Sequence, residues 1–569
     1  MPYASWLKIG DVVHGFKLES VERIEFFDIN AYQLVHEATG ARSLHLDSAD
    51  MDNVFAVLFR TPPDDHTGKP HILEHLATCG TSKYPVRDPF FNMIKRSLNT
   101  YMNAWTGSDF TMYPFSTTNQ KDFNNLLSVY LEMSFFPRLD PLDFSQEGHR
   151  IEFKEWNDPA TDLEYKGVVY NEMKGAMSNP EDAFVHKINE NLFQRSQYKF
   201  NSGGEPKFIP DLEYADLKSF HSKYYHPSNC TFLSYGDLDF SKHLEFIERE
   251  VLAKFTRNDA SVKESDIILE QRLKEPIHRE HRFMPDLMSD ANQQAKLGIS
   301  FLCNQLAQDP YETFAMQILS TLLFDGPNSP FYKRIIEAGV APNFCPGTGY
   351  DHTTKEATFT MGVQGIQLED IKKCEQAIYD TLQEVAANGI EERFFETVLH
   401  QVEFSAKRTK DHFGLALLSH MVPYVLHNGD PLSIFKINEY SQRIRDDFKK
   451  GGLFEGLVKK YLIDNTHKLN LLAVPDNEVG PKEEAAEKNR LETLKKALTE
   501  DEKQTIVQDA YKLKQHQERI QDLSVLPSLT LDDISRSIEY IDHEVNYCGG
   551  SKCFARINYF YYRGKDMVV

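Results

Sequence analysis

Residues 71–75 read His-Ile-Leu-Glu-His, and this order restricts the surrounding fold more than any other stretch of the chain. With 3.6 residues per helical turn, positions i and i+4 share a face, so a helix here brings both imidazoles within reach of one metal ion. Glu74 lies beside them, short enough to hold a water at that ion rather than bind it, while Ile72 and Leu73 turn towards a core. The order H-x-x-E-H is that of the inverted zincin motif. With 21 histidines in 569 residues, two ordinary histidines also fall into this pattern by chance, so the flanking sequence has to corroborate it.

The flanks predict a rigid setting. From Phe16 to Leu58, apolar residues alternate and are broken by Thr39-Gly40 and by aspartates, the pattern of an antiparallel hairpin meander. The turn-rich RTPPDDHTGKP follows, with Pro70 placed for the first turn of a helix. Asp88-Pro89 opens another apolar helix. MNAWTGSDFTMYPFST (102–117) reads as a strand in which Pro114 favours a sheet edge. An open edge beside a metal would let an extended peptide add as an extra strand; Asp109 equally suits an ordinary guarded edge.

Residues 120–137 predict an amphipathic helix, and LEYKGVVYNEMKGAMSN (163–179) runs into another whose Val169, Tyr170 and Met173 face a core. Glu172, embedded among these, needs a charged partner, which a metal or the neighbouring Lys174 would supply. Cys79 reads as a buried structural thiol. NSGGEPKFIPDL (201–212) lacks the strand–G-x-G-x-x-G–helix setting of a nucleotide site and reads as a turn. A strand over 230–238 closes a first unit near residue 260.

After a charged linker over roughly 257–290, a strand at 295–303, helices over 310–340, strands around 349–366, helices over 368–463 and a strand at 467–476 broadly repeat the first unit, without a second H-x-x-E-H. The expected fold is α+β: two homologous sandwich-like domains of sheet and helix layers, at 1–260 (zinc-binding) and 261–480 (non-catalytic), then a helical hairpin at 481–530 containing the capping box Thr499-x-x-Glu502. Residues 531–569 read as the first strand of a further domain.

Composition excludes some functions. A net charge of −22 from 63 basic and 85 acidic residues argues against nucleic-acid binding and is compatible with a cavity that attracts basic peptides. Apolar runs such as 469–474 are too short to span a bilayer. Seven scattered cysteines form no disulfide framework, and Cys548 and Cys553 alone make a poor zinc site. The opening residues carry neither an Arg-rich amphipathic transit segment nor an apolar signal core.

Several blocks in order, TGKPHILEH, CGTSKYPVRDPFFNMIKRSLNTYMNAWTGSDFTMYPFST, SQEGHR, KGVVYNEMKG, HPSN and GPNSPFYK, resemble the presequence-protease branch of the pitrilysin-type zinc metallopeptidases. The resemblance spans nearly the whole chain. It implies four α+β domains in two halves joined by a helical hairpin, enclosing a chamber for unstructured peptides. It implies one Zn2+ held by His71, His75 and Glu172, with Glu74 as catalytic base and Asn103, Ala104 and Trp105 in the strand that meets the peptide. It also implies a mitochondrial matrix location, with the cytoplasm as the alternative. The sequence stops where the family's second half begins, so the arginine and tyrosine contributed from that half have no counterpart, and a second chain is an expected partner if the chamber is to close.

Overall fold

The computed structural model describes residues 7–286, 290 and 292–537, and the backbone of 543–548, 551–557 and 567–568. A nine-stranded sheet carries the first unit. Its strands are β1 (Val12–Val13), β2 (Phe16–Ile24), β3 (Ile29–His36), β4 (Arg42–Asp47), β5 (Asn53–Arg60), β6 (Asn99–Met102), β7 (Trp105–Thr106), β8 (Phe110–Thr117) and, after a separate pair β9 (Arg150–Phe153) and β10 (Leu163–Lys166), β11 (Cys230–Gly236).

The expected meander holds through β4 and then breaks. The strand β11 inserts between β4 and β5, parallel to the first and antiparallel to the second. It is central rather than closing because both its faces are apolar: Phe232 joins one core, and Leu233 and Tyr235 join another. A strand buried on both faces belongs in the middle of a sheet.

Pro114 departs from expectation as well. The strand β8 lies inside the sheet, between β5 and the short strands β6 and β7. The Pro114 carbonyl accepts from Asn103 N–H at 3.2 Å, so the side of Pro114 that lacks a donor faces the break between β6 and β7. The missing N–H therefore interrupts no ladder. Those two short strands form the sheet edge. Asp109 does not guard it: the residue is buried and its Oδ2 accepts from Tyr198 Oη at 2.5 Å and lies 3.0 Å from His427 Nε2.

Six helices of this unit matter to the site: α1 (Lys69–Thr78), α2 (Pro89–Ile94), α3 (Gln120–Phe135), α4 (Pro141–Glu147), α5 (Val168–Met177) and α6 (Pro180–Leu192). The main core lies between the sheet (Phe55, Phe59, Tyr113, Phe115) and α1 and α3 (Leu73, Leu76, Phe123, Tyr130).

A second, six-stranded sheet contains β12 (Ile277–Phe283), β13 (Ala295–Gln305), β14 (Asn343–Phe344), β15 (Gly349–Asp351), β16 (Glu356–Ile366) and β17 (Lys468–Pro475). The strand β12 falls in the stretch that reads as a charged linker. Its HREHR run is mostly solvent-facing at the end of the sheet, and charge on an edge strand is what keeps such edges unpaired. The last strand of this unit, β17, inserts between β12 and β13, parallel to the first and antiparallel to the second. That is the arrangement of β11 between β4 and β5. The fold is α+β, a pair of like units.

Each unit covers the other's sheet. Helix Phe413–Leu426 lays Leu415, Leu418, Met421 and Val422 on Leu44, Leu46, Ala56, Leu58 and Leu233 of the first sheet. In return α6 lays Phe184, Ile188 and Leu192 on Leu302, Leu469 and Leu471 of the second. A hairpin of helices Val479–Ala497 and Glu500–Glu518, with the Thr499–Glu502 capping box formed, rests on the first unit through Leu491 and a Trp156–Tyr511 stack.

Beyond it, His543–Cys548, Ser551–Ile557 and Met567–Val568 form a three-stranded antiparallel sheet where the sequence reads as a single strand. The side chains there, Cys548 and Cys553 included, lie outside the described residues, as do residues 1–6. Among the described residues no helix is long and apolar enough to cross a membrane.

Candidate metal centre

Helix α1 is set into the core by Pro70, Ile72, Leu73, Leu76 and Ala77, all buried, which leaves His71, Glu74 and His75 on the opposite side. The helix starts at Gly68, in the left-handed region at φ 76°. A side chain there would meet the Gly203 carbonyl oxygen at 2.7 Å, so glycine lets the 201–204 loop lie against the start of the helix. The loop uses this proximity: the Gly203 carbonyl accepts from His71 Nδ1 at 3.3 Å. The glycine-rich stretch is thus a turn, with a positioning contact to the site.

The other imidazole is held from α4, where Glu147 Oε2 accepts from His75 Nδ1 at 3.1 Å. With both Nδ1 atoms donating to oxygen, both Nε2 atoms carry the free lone pair. The rings stand nearly perpendicular, at 83° with centroids 4.9 Å apart. Glu172 arrives from α5, its Oε2 3.9 Å from His71 Nε2 and 3.8 Å from His75 Nε2. These donor atoms all lie within 4.8 Å of one another.

Glu172 is not embedded as the sequence reads. Val169, Tyr170 and Met173 are buried, but the Glu172 side chain is 54% exposed and opens on the cleft. Lys174 pairs elsewhere, with Glu487 at 2.7 Å. Cys79 is a buried thiol whose Sγ sits 3.4 Å from the His75 carbonyl, and burial raises its pKa well above the ordinary value.

The same cleft, of about 460 Å³, is lined by His71, Glu74, His75, Asn103, Ala104, Thr106, Glu172, Met173 and Gly203. Asn103 and Ala104 are therefore where the sequence reading puts them. The Trp105 side chain is not: its Nε1 donates to Tyr101 Oη at 2.9 Å and it packs with the apolar cluster on the far side of the sheet. Side chains alternate along a strand, so with Ala104 facing the cleft the next to face it is Thr106. Thr106 Oγ1 donates to Glu74 Oε2 at 2.6 Å.

Electrostatics differ among the three helix groups. Burial, then the neighbouring His75, pulls the His71 pKa below the usual imidazole range. Burial pulls His75 the same way, but its bond to Glu147 and the acidic neighbours outweigh it and leave that pKa raised. Burial raises Glu74 above the usual carboxylate range despite the bond from Thr106. A carboxylate of raised proton affinity beside two convergent imidazole lone pairs is equipped to move a proton.

Sequence reasoning missed Glu147, Thr106 and Gly203. Strand alternation carries a signal for Thr106. Glu147 lies in the SQEGHR block but 72 residues from its partner, a separation no spacing rule bridges.

Three family models match the chain: Insulinase (Peptidase family M16) at residues 60–158, Peptidase M16 inactive domain at 211–402 and, at 474–558, a region described as associated with subfamily C of the same peptidases. Among curated relatives, the mitochondrial presequence protease of Xenopus laevis is 42% identical over 544 residues, covering 95% of this chain and 52% of the relative. That of Mus musculus is 41% identical over 545 residues, covering 95% and 52%, and that of Schizosaccharomyces pombe 39% over 538, covering 94% and 54%. The chain spans about half the length of the curated relatives it matches. Among solved structures, a protease from Helicobacter pylori superposes with a TM-score of 0.59 at 17% identity, covering 78% of this chain and 99% of its own. Pitrilysin gives 0.55 at 12%, covering 82% and 47%. At those identities the two structures speak to the fold alone.

Proposed function

This chain belongs to the M16 peptidase family, in its presequence-protease branch, and from that membership we propose that it is a zinc-dependent endopeptidase. Its substrates are short, unstructured peptides, with presequences cleaved from imported precursors among them, and its place is the mitochondrion, the compartment in its relatives' names, rather than the cytoplasm. One observation carries the reading: two imidazole Nε2 atoms and a carboxylate converge on an open cleft, with each Nδ1 already committed to an acceptor.

His71, His75 and Glu172 are assigned as the ligands of a single Zn2+. Two neutral imidazoles oriented by hydrogen bonds and one carboxylate are a donor set that suits catalytic zinc with a position left open. When bound, zinc supplies Lewis-acid polarisation of a carbonyl and acidification of water. Glu74 takes a proton from the attacking water as the water oxygen bonds to the scissile carbonyl carbon. It returns that proton to the departing nitrogen as the C–N bond breaks, and ends as it began. Thr106 holds the Glu74 carboxylate in place for both transfers. The peptide adds as a further strand along the edge formed by β6 and β7, past Asn103 and Ala104, with Trp105 contributing backbone.

The proposed organisation is a zinc-binding unit at 1–260, a non-catalytic repeat at 261–480, a connector at 481–530 and the start of a further domain at 531–569. The relatives' greater length favours a second reading, in which turnover requires the remaining half from the same or a partner chain. Zinc content and cleavage of a quenched unstructured peptide by this chain test both. Glu74→Gln keeps zinc and loses turnover, whereas His71→Ala loses zinc. Near wild-type cleavage by the Gln variant would refute the role of Glu74, and a wild-type chain that holds zinc without cleaving would favour the half-chain reading.

A further inference from the structure

A second group of metal-ligating side chains lies outside the cleft. His66 from the loop before α1, His186 from α6 and Glu205 from the loop after Gly203 place one donor atom each within 4.8 Å of one another. Glu205 is buried, and the two imidazoles are largely so, with side chains 18% and 12% exposed. Glu205 Oε1 lies 3.2 Å from His66 Nδ1 and 3.3 Å from His186 Nε2. Ligands bonded tetrahedrally to zinc at ordinary lengths stand about 3.4 Å apart, so both separations match edges of such a tetrahedron.

Simple hydrogen bonding does not account for the whole cluster. The Asn201 backbone N–H donates into His66 Nδ1 at 3.5 Å, which requires a lone pair on that nitrogen. A nitrogen that accepts from Asn201 cannot also donate to Glu205. A lone pair and a carboxylate oxygen then face each other at 3.2 Å, an arrangement that calls for a cation between them. Two lysines are near. Lys207 Nζ is 3.0 Å from the other oxygen, Oε2, and Lys187 Nζ is 3.8 Å from Oε1 but is committed to Glu190.

We propose that His66, His186 and Glu205 form a second, structural zinc site, in which one ion ties three segments together. His66 stands five residues before His71, and Glu205 two residues after the Gly203 carbonyl that His71 donates to. His186 sits on the helix that covers the second sheet. An ion here links the catalytic helix, the loop that orients His71, and the second unit. It adds to the first centre rather than depending on it, because the two share no ligand.

The test uses the full chain, stripped of metal, reloaded with Zn2+ alone and desalted, with zinc counted per chain by mass spectrometry. The expected counts are two for wild type, one for His186→Gln, one for His71→Ala and none for the double variant, with far-UV circular dichroism showing that each is folded. In the His71→Ala background, Co2+ should give the visible absorption of a four-coordinate site, and His186→Gln should abolish it. Lys187→Gln, which removes the competing ammonium, should tighten zinc at this site several-fold. A wild-type count of one, or a count of two that His186→Gln leaves unchanged, would overturn the proposal. A count unaffected by His71→Ala would instead refute the first centre and leave this one standing.

Discussion

Removing the Glu147 carboxylate is the perturbation that most sharply separates a built metal centre from two neighbouring histidines. Glu147 touches no ion under the proposed assignment; it acts only by accepting from His75 Nδ1 at 3.1 Å. It is well placed to do so, since its side chain is 11% exposed and its other oxygen accepts from Gln146 Nε2 at 2.7 Å, which fixes the carboxylate. A hydrogen bond to an ionised group contributes about 1.5–3 kcal/mol. Lost from one ligand, that energy corresponds to about a ten- to hundredfold weaker hold on the metal, the range seen when such supporting groups are removed. Glu147→Ala should therefore raise the zinc dissociation constant by that factor, while Glu147→Gln, which keeps a carbonyl acceptor, should cost only a few-fold. Competition against a chromogenic chelator near neutral pH reads the constant directly, and circular dichroism confirms that the variants fold. If Glu147→Ala binds zinc as tightly as wild type while His75→Ala does not bind it, the bond from Glu147 does no positioning and the reasoning fails.

Thr106→Val removes the donor to Glu74 and should lower kcat about tenfold with zinc content unchanged; peptide cleavage and metal analysis together check it. Burial holds His243 at about 3 and His221 at about 4, against about 6.5 in an unfolded chain. The unfolded state thus binds more protons between these limits, so stability should fall as pH drops from about 6.5 towards about 4, by up to ~1.4 kcal/mol per pH unit for each histidine. Denaturation at about pH 7 and about pH 5 should show a shallower loss for His243→Phe, and an identical loss would count against the account. Leu418→Ala, at a fully buried position of the helix covering the first sheet, should cost about 2–5 kcal/mol in the denaturation midpoint analysis; a loss near zero would mean the two units do not depend on that contact.

The parts of this protein legible in its sequence are those set by short-range periodicity. The i, i+4 spacing of His71 and His75 specified a shared helical face, and apolar Ile72, Leu73 and Leu76 specified which side of that helix the core takes. Alternation specified the strands, and Thr499 with Glu502 the start of the second hairpin helix. The strand order was not legible, because inserting β11 between β4 and β5 depends on pairing of β11 with a strand some 190 residues earlier in the chain, and β12 was hidden by its charges. Pro114 misled for a related reason: the sequence shows a strand without a donor but not the gap opposite it.

For the candidate site the division is the same. A helix by itself determines where its own side chains point, so His71, Glu74 and His75 could be grouped from five consecutive letters. What approaches that face is decided by packing between distant segments: Glu172 on its own helix, Glu147 behind His75, the Gly203 carbonyl behind His71, and Thr106 rather than Trp105 facing Glu74. Local geometry repeats every few residues and is written in the spacing; long-range contacts are written only in the shape the whole chain takes once its cores are buried.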